Sequence, residues 1–450
     1  MLTKMSMTNF KSWAQTGDIR LAPLTAFFGT NSSGKSSLLH MLLLLKQTAE
    51  SSDRNLPLKT GSPRDYVNLG TAYEMTHRNA PNLQMGLEWD FAESESIQVP
   101  DVHSPFTLNK LEFRTHIEVA QTQVQVRSIE YRHADLFSAL LEKSAHPSEA
   151  YRFDVTINGN KAKRSKGRPS MGIKPNKCYG FSDEAMSYYQ KTEYLEDVVL
   201  RFEQQLQRLH YLGPLREYPE RTYVWGGERP ENVDRKGELT ISALLAAQTT
   251  DVYNGTTERK TVTLHQRIAQ WLKELDLADS FEIRPLVKGS VNYEVRLKRN
   301  ADSPEVLLTD LGIGVSQILP VLVLCYYVPQ GSTIILEQPE LHLHPSVQSR
   351  LADVLIDVVT NRNVQIIVES HSEHLLKRLQ RRIAEQNLPN RDVALYYCDL
   401  HEGASRLTAL EVDAFGAVHN YPRDFFGDMI GDMVATMEAG LNAREQNHAP

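Results

Sequence analysis

The residues of this chain that are best suited to chemistry form one short run, Gly29-Thr30-Asn31-Ser32-Ser33-Gly34-Lys35-Ser36. The run fits the pattern G-x-x-x-x-G-K-[ST], and it lies between a predicted buried strand at 24–28 and a predicted apolar helix at 37–46. Such a unit aims backbone N–H groups and a helix N-terminus at one point, which suits the phosphates of a nucleotide. Lys35 is then expected to reach the β- and γ-phosphates, and the Ser36 hydroxyl to ligate Mg²⁺.

Polar residues also follow two predicted buried strands in the second half of the chain. Residues 332–337 predict a strand that ends in Glu337, a carboxylate suited to hold Mg²⁺ through a water beside the Ser36 hydroxyl. Residues 364–368 predict another strand, which leads into His371. Open α/β sheets bind ligands at the carboxyl ends of their strands, so we expect His371 to face the same crevice.

A second glycine-rich helix start precedes the strand of Glu337. Residues 309–317 contain Gly312, Gly314 and Ser316 and open an apolar helix. This helix N-terminus is also suited to bind an anion.

The composition is that of an ordinary globular protein, with 41% hydrophobic and 23% charged residues among 450. The net charge of −7 gives no overall sign of nucleic-acid binding, so any such role must rest on a local patch. The three cysteines lie far apart and fit no metal or redox spacing. The apolar run near residue 320 is too short to span a bilayer, and no signal-peptide pattern opens the chain. We therefore expect a cytoplasmic protein without a membrane segment.

The periodicity of the chain predicts a nucleotide-binding core interrupted by an insertion. The four predicted segments are an N-terminal part at 1–91, an insertion subdomain at 92–191, a C-terminal part at 192–430 and a C-terminal tail at 431–450, of which 443–450 is expected to be frayed. The predicted elements within them are strand-like alternation at 67–91, strands at 111–120 and 123–131, helices at 193–209 and 264–277, and a hairpin at 281–299.

The insertion contains a basic stretch without an acidic residue, at 159–177. Its charged residues are Lys161, Lys163, Arg164, Lys166, Arg168, Lys174 and Lys177. One interpretation is a salt-sensitive contact with a nucleic-acid backbone, and the other is a solvated loop rich in glycine, proline and serine.

These motifs, in this order, resemble an ATP-binding-cassette (ABC) type ATPase head. The closest resemblance is to the SMC/RecF/OLD branch, where OLD stands for overcoming lysogenisation defect. Residues 9–12 match its N-terminal turn, and residues 337–345 match its extended Walker B motif. Segments 211–216, 311–317 and 372–376 resemble a prokaryotic subfamily of predicted AAA-type ATPases. The resemblance implies an α/β P-loop NTPase fold, with an ABC-type head that carries an inserted α+β subdomain.

The resemblance also implies a homodimer or higher homo-oligomer, in which two heads sandwich two ATP molecules. The residues expected to bind the nucleotide within one chain are Lys11, Asn31, Ser32, Ser33, Gly34, Lys35, Ser36 and Ser37. Gly312, Gly314 and Ser316 are expected to face the ATP of the partner, His371 is the expected switch histidine, and Gln47 is a candidate for the Q-loop residue.

The chain departs from the family pattern at two positions. The signature usually has a serine where this chain has Gly312, so backbone N–H groups or Ser316 must supply that contact. The position after Glu337, normally the catalytic glutamate, is Gln338, and an amide orients a water but cannot accept its proton. Either Glu340 serves as the base, with real but slow hydrolysis, or ATP acts mainly as a dimerising switch.

The resemblance therefore predicts an ATPase that acts as the sensor or motor for a separate effector protein, in bacterial anti-phage defence. An ATP-held scaffold with negligible turnover and a DNA-binding ATPase in repair are the alternatives. Nuclease activity is not expected, because OLD nucleases carry a large TOPRIM domain after the histidine and only residues 372–450 follow here.

Overall fold

The computed structural model describes most of the chain. The described residues are 1–100, 105–120, 123–144, 150–165, 172–190, 192–248, 252–254, 261–422, 425 and 434–439. Among them, no helix is both long enough and apolar enough to cross a membrane.

The described strands and helices, apart from short 3₁₀ turns, have the following bounds. The strands are β1 Leu2–Phe10, β2 Trp13–Gln15, β3 Ile19–Arg20, β4 Leu24–Gly29, β5 Asn82–Asp90, β6 Ile97–Val99, β7 Phe106–Leu108, β8 Lys110–Ala120, β9 Gln123–His133, β10 Phe137–Lys143, β11 Tyr151–Ile157, β12 Asn160–Lys161, β13 Pro175–Asn176, β14 Gly180–Phe181, β15 Leu209–Leu212, β16 Tyr223–Val224, β17 Val252–Asn254, β18 Thr261–Thr263, β19 Ser280–Pro285, β20 Asn292–Lys298, β21 Val306–Leu307, β22 Thr333–Glu337, β23 Gln365–Glu369, β24 Val393–His401 and β25 Ala404–Ala409. The helices are α1 Lys35–Glu50, α2 Ala72–Met75, α3 Asp183–Met186, α4 Glu193–Gln207, α5 Thr240–Ala246, α6 Leu264–Glu274, α7 Ile313–Tyr327, α8 Pro345–Arg362 and α9 Glu373–Ala384.

The central sheet has the strand order β15-β22-β23-β4-β24-β25, and all neighbours are parallel except the last pair. Its inner strands β4, β22 and β23 are buried along their whole length, as expected for parallel strands covered on both faces. On β4, Phe27 packs into the core that contains α1, whereas Leu24, Ala26 and Phe28 pack into the core that contains α7, α8 and α9. The predicted α/β class is therefore confirmed.

A second, antiparallel sheet begins at the N-terminus and has the order β12-β11-β10-β9-β8-β5-β1-β2, with β3 also paired to β1. Its inward residues share one core with the apolar residues of α1 and α4. The predicted boundary between residues 91 and 92 falls between β5 and β8, which pair along nine residues of each strand, so the insertion extends the N-terminal sheet. The division into domains stays a prediction.

Several predicted elements are confirmed within one or two residues, among them β22, β23, α4 and the β19–β20 hairpin, and the P-loop helix α1 is confirmed but ends four residues later than predicted. The prediction of strand-like alternation from 67 to 91 is wrong in its first half. Residues 67–71 are irregular and α2 follows, because Thr71 caps that helix in a reciprocal bond with Glu74. Of the predicted tail, only 434–439 is described.

Candidate functional site

The glycine-rich loop between β4 and α1 is held by close backbone packing. Gly29 has φ 138°, and a Cβ there would overlap the backbone carbonyl of Cys398 on the neighbouring β24. Gly34 has φ 89°, in the left-handed region, and a Cβ there would overlap the hydroxyls of Ser12 and Ser405. The Trp13 indole also donates to the Gly34 carbonyl at 2.9 Å. Only glycine fits both positions without displacing the loop.

The side chain of Lys35 lies inside this loop. Its ammonium donates to the carbonyls of Thr30 at 2.7 Å and Gly29 at 3.2 Å, and the residue is 3% exposed. Burial lowers the pKa of Lys35, while the nearby Glu369 carboxylate opposes that effect. Among the described loop residues 29–36, Lys35 is the only cation. Because it is already desolvated, its attraction for a bound phosphate is stronger than in water.

One cleft of about 420 Å³ unites residues from distant parts of the chain. Its lining residues are Lys11, Ser12, Asn31, Ser32, Ser33, Gly34, Lys35, Ser36, Ser37, Glu74, Gln338, Glu369 and His371. Every residue that the sequence assigned to the nucleotide within one chain is in this set, together with Gln338 and His371. Ser12, Glu74 and Glu369 also line the cleft and were not predicted.

Glu337, the predicted magnesium ligand, ends β22, is 5% exposed and is not among the residues that line the cleft. Its Oε1 accepts a hydrogen bond from the Tyr211 hydroxyl at 3.2 Å and lies 3.2 Å from Nε2 of His40 on α1. The sequence had not assigned a role to Tyr211 or His40.

Gln338 starts the turn after β22 with φ 44°, in the left-handed region. Its backbone N–H donates to the carbonyl of Glu369 at 2.9 Å, and the Arg216 guanidinium donates to the Gln338 carbonyl at 3.3 Å. Burial lowers the pKa of Arg216 to about 10. The turn is thus fixed from both sides in a conformation that interrupts the strand alternation at Gln338.

Glu340, the base candidate of the sequence, does not line the cleft. Its Oε1 accepts bonds from the Ser370 hydroxyl at 2.8 Å and the His371 N–H at 2.7 Å, and the residue is 6% exposed. Burial raises the pKa of Glu340. The structure therefore places this carboxylate where it supports the turn after β23, and its catalytic role stays a prediction.

Glu369 ends β23, and its carboxylate lines the cleft although the residue is only 2% exposed. Burial raises its pKa and the Glu337 carboxylate adds to that effect, while Ser36, Lys35 and Gln338 favour the charged form. Its Oε2 has no hydrogen-bond partner among the described residues. The sequence signal for it is a lone charged residue at the end of an apolar strand, next to the predicted switch histidine.

His371 follows in the same turn and lines the cleft. Burial lowers its pKa, and the nearby Lys35 lowers it further, so the imidazole is held neutral at neutral pH.

The second glycine-rich segment faces a separate cleft of about 560 Å³. Gly312 and Gly314 line it together with His342 and His344, and none of its lining residues belongs to the P-loop cleft. Ser316 does not line it: its hydroxyl donates to the Ile313 carbonyl at 2.8 Å, and the residue borders another groove.

Two other sequence-based candidates are occupied within the fold. Gln47 does not line the P-loop cleft, because its side-chain amide bonds the backbone of Lys59 and Val67. Lys177 caps α1 by donating to the carbonyls of Ala49 at 2.7 Å and Ser51 at 2.8 Å. Of the remaining basic stretch, residues 166–171, with Lys166 and Arg168, lie outside the described residues.

Comparison with known proteins gives two family matches. A model described as AAA ATPase domain matches residues 1–210 and 240–376, and a model described as a protein of unknown function matches 388–435. No curated protein matches the chain.

Similar solved structures include three SMC heads. An SMC head bound to the C-winged helix domain of ScpA has a TM-score of 0.45 and 11% identity, covering 92% of this chain and 98% of that chain. The SMC head domain from Thermotoga maritima has a TM-score of 0.41 and 12% identity, covering 91% and 99%. A Smc head with an extended coiled coil, bound to the C-terminal domain of ScpA derived from Pyrococcus furiosus, has a TM-score of 0.39 and 11% identity, covering 91% and 96%. Similarities this weak support no conclusion about activity or partners.

Proposed function

Because the chain belongs to the AAA ATPase domain family, whose model matches most of it, we propose that its P-loop cleft binds ATP with Mg²⁺ and hydrolyses it slowly. The observation that carries this proposal is the convergence of the glycine-rich loop, Lys35 and the strand-end carboxylate Glu369 on one cleft, with Glu337 in register with Glu369 on the adjacent strand.

The residues at the cleft fit a magnesium ion. The Ser36 hydroxyl and the Glu337 carboxylate are oxygen donors of the kind that Mg²⁺ prefers. Ser36 and Glu337 would hold the ion, directly or through water, and a bound ion would neutralise charge on the phosphates.

Two copies of the chain would complete the site. Gly312 and Gly314 line a cleft that shares no residue with the P-loop cleft, so within one chain the glycine-rich helix start of α7 is separate from the nucleotide site. This separation is what a dimer needs if the α7 N-terminus of one copy is to face the ATP of the other. A homodimer or higher homo-oligomer that closes on ATP is therefore part of the proposal.

A slow ATPase of this kind suits a sensor or motor that acts through a separate effector protein. The assignment to bacterial anti-phage defence rests on the sequence resemblance alone, and a phage-infection assay with the Lys35→Ala variant would test it.

A scaffold that holds ATP with negligible turnover is the second candidate. It is favoured by Gln338, which cannot accept a proton, and by the engagement of Glu340 in the neighbouring turn. DNA binding receives less support, because Lys177 is engaged with α1 and the basic residues of α9 are paired. The pairs on α9 are Arg378 and Arg382 with Asp353, Arg381 with Glu385, and Lys377 with Glu373.

Steady-state ATP hydrolysis by the purified chain tests the proposal, with Lys35→Ala as the blank. We expect wild type to exceed the blank and light scattering to show a larger species with ATP than without nucleotide. Hydrolysis equal to the blank, with ATP still bound and the larger species formed, would favour the scaffold.

A further inference from the structure

Resting on the ATPase function proposed above, we propose that Glu369 is the residue that binds the attacking water and accepts its proton during ATP hydrolysis. The catalytic position after Glu337 is occupied by Gln338, so the site needs another carboxylate for this step.

The position of Glu369 in the sheet favours this role. β23 lies between the P-loop strand β4 and the strand of Glu337, with Glu369 in register with Phe27 on one side and Glu337 on the other. Its side chain therefore starts at the same sheet edge as the phosphate-binding loop and the predicted magnesium ligand, where ligands of open α/β sheets bind.

The surroundings of the carboxylate are those of a site aimed at a bound molecule. Glu369 lies beside Ser36, Lys35 and Gln338 and lines the cleft with them. It is 2% exposed, and its Oε2 has no hydrogen-bond partner among the residues that the structure describes. A buried carboxylate oxygen without a hydrogen-bond partner is costly to maintain. Because this oxygen belongs to a residue that lines the cleft, a water bound there with the nucleotide can supply the missing donor.

The other two glutamates at this edge are engaged elsewhere. Glu337 accepts from Tyr211 and lies next to His40, and it is the predicted magnesium ligand. Glu340 accepts from Ser370 and His371 through its Oε1, and although its Oε2 also has no partner among the described residues, the residue does not line the cleft. Among the carboxylates that do line it, Glu74 is the other one, and its carboxylate accepts from the backbone N–H of Thr71 at 2.7 Å in the cap of α2.

The proposed step uses only water and ATP. The water oxygen bonds to the γ-phosphorus while the bond from that phosphorus to the β,γ-bridging oxygen breaks, so that ADP leaves with the bridging oxygen. Glu369 takes one proton of the water and returns it to phosphate or solvent after the step. The Gln338 amide, next to Glu369, helps orient the water without taking its proton.

The experiment compares full-length wild type with Glu369→Gln, Gln338→Glu and the double variant that carries both changes. Hydrolysis is measured at saturating ATP and Mg²⁺, ATP affinity with a fluorescent ATP analogue, and the half-saturating Mg²⁺ concentration by titration. Glu203→Gln is the matched control, because Glu203 is a partly buried carboxylate that accepts from the Tyr179 hydroxyl and does not line the cleft. Thermal unfolding checks that each variant is folded.

We expect Glu369→Gln to lower kcat about 100-fold or more, the usual contribution of a general base. ATP affinity and the half-saturating Mg²⁺ concentration should stay within about threefold, less than 1 kcal/mol. Because Gln338→Glu returns a carboxylate to the water, the double variant should regain at least part of the lost rate.

Three outcomes would overturn the inference. A Glu369→Gln variant whose kcat stays within about threefold of wild type would show that another group accepts the proton. A loss of rate that follows a raised Mg²⁺ requirement would make Glu369 a metal ligand instead. Wild-type hydrolysis no faster than the Lys35→Ala blank would refute the ATPase function itself, and this inference with it.

Discussion

The two neighbouring strands β22 and β23 each have a buried glutamate at or just after their end, and the two glutamates have different surroundings. Glu340, in the turn after β22, accepts two hydrogen bonds from the turn after β23 and does not line the cleft. Glu369, the last residue of β23, lines the cleft. The Oε2 atom of each has no partner among the described residues, so the position relative to the cleft is what distinguishes them.

The comparison shows that distance along the sequence from the predicted magnesium ligand does not decide which acid reaches the phosphates. Glu340 is three residues from Glu337, but the left-handed conformation of Gln338 and the following Pro339 end the strand alternation. Glu369 is far from Glu337 in sequence, yet the two are in register on adjacent strands. We therefore propose that Glu340 supports the turn after β23 and that Glu369 acts on the attacking water.

The largest effect is expected from Lys35→Ala, which removes the cation that interacts electrostatically with both Glu369 and Glu340. Loss of charge-assisted hydrogen bonds to the phosphates should weaken ATP binding about 100-fold and abolish hydrolysis. Equilibrium binding of a fluorescent ATP analogue measures the first effect. Unchanged affinity would show that the nucleotide binds elsewhere, so neither glutamate would be near the ATP that is hydrolysed.

The buried His210, on the edge strand β15, should make the folded protein less stable in acid, which limits the pH range in which the Glu340 and Glu369 variants can be measured. Burial lowers its pKa to about 4, well below the value near 6.5 of an unfolded chain. The unfolded state then binds more protons between these values, so the free energy of unfolding should fall as pH drops from 6.5 to 4, by about 3 kcal/mol in all.

Urea unfolding at pH 7 and pH 4.5 measures this loss in wild type and in His210→Gln, with the exposed His401→Gln as control. The His210→Gln variant should lose less stability on acidification than the control. Equal losses in both would place the acid sensitivity in other groups.

Stability should rank the two glutamates in the opposite order to activity. Glu340→Ala removes the acceptor of a buried and a partly buried donor and should cost about 2 kcal/mol in the free energy of unfolding. Glu369→Ala should cost less, because Glu369 lines the open cleft, where water can satisfy the Ser36 and Gln338 groups that face its carboxylate. Urea unfolding at pH 7 gives both values, and a larger loss for Glu369→Ala would break the proposed division of roles.

A smaller effect is expected from Tyr211→Phe, which removes the hydroxyl that donates to Glu337. Loss of one such bond is worth about 1 kcal/mol, so the half-saturating Mg²⁺ concentration should change severalfold at most. The same substitution at Tyr223, whose hydroxyl accepts from the backbone N–H of Glu220 at 3.0 Å and which does not line the P-loop cleft, is the control. A loss of rate as large as that of Glu369→Gln would mean that Glu337, and not only Glu369, is essential to the chemical step.

The sequence was sufficient to predict the parts of the site that depend on local pattern. The glycine-rich loop, the strands at Glu337 and Glu369 and the helix start at Gly312 each have a signature within ten residues, and the structure has those elements. Lys11 was assigned from the family resemblance, and it lines the cleft as expected.

The parts that the sequence missed depend on pairing between distant segments. The roles of Glu369, Tyr211 and His40 follow from strand register and helix packing, which no local pattern records. Gln47, on α1, was a candidate for the Q-loop residue from the family resemblance, but its side-chain amide bonds the backbone of Lys59 and Val67. In each case a contact distant in sequence decided the role.

Single-turnover hydrolysis, with ATP labelled at the γ-phosphate and bound to excess protein, tests whether Glu369 accepts the proton of the attacking water. Glu369→Gln and Glu340→Gln are compared with wild type, so that the rate of the chemical step is read without product release. If Glu369 is the base, Glu369→Gln should retain bound, uncleaved ATP for about 100 times longer than wild type, while Glu340→Gln should slow cleavage far less. Cleavage that is lost in Glu340→Gln and preserved in Glu369→Gln would contradict this role of Glu369.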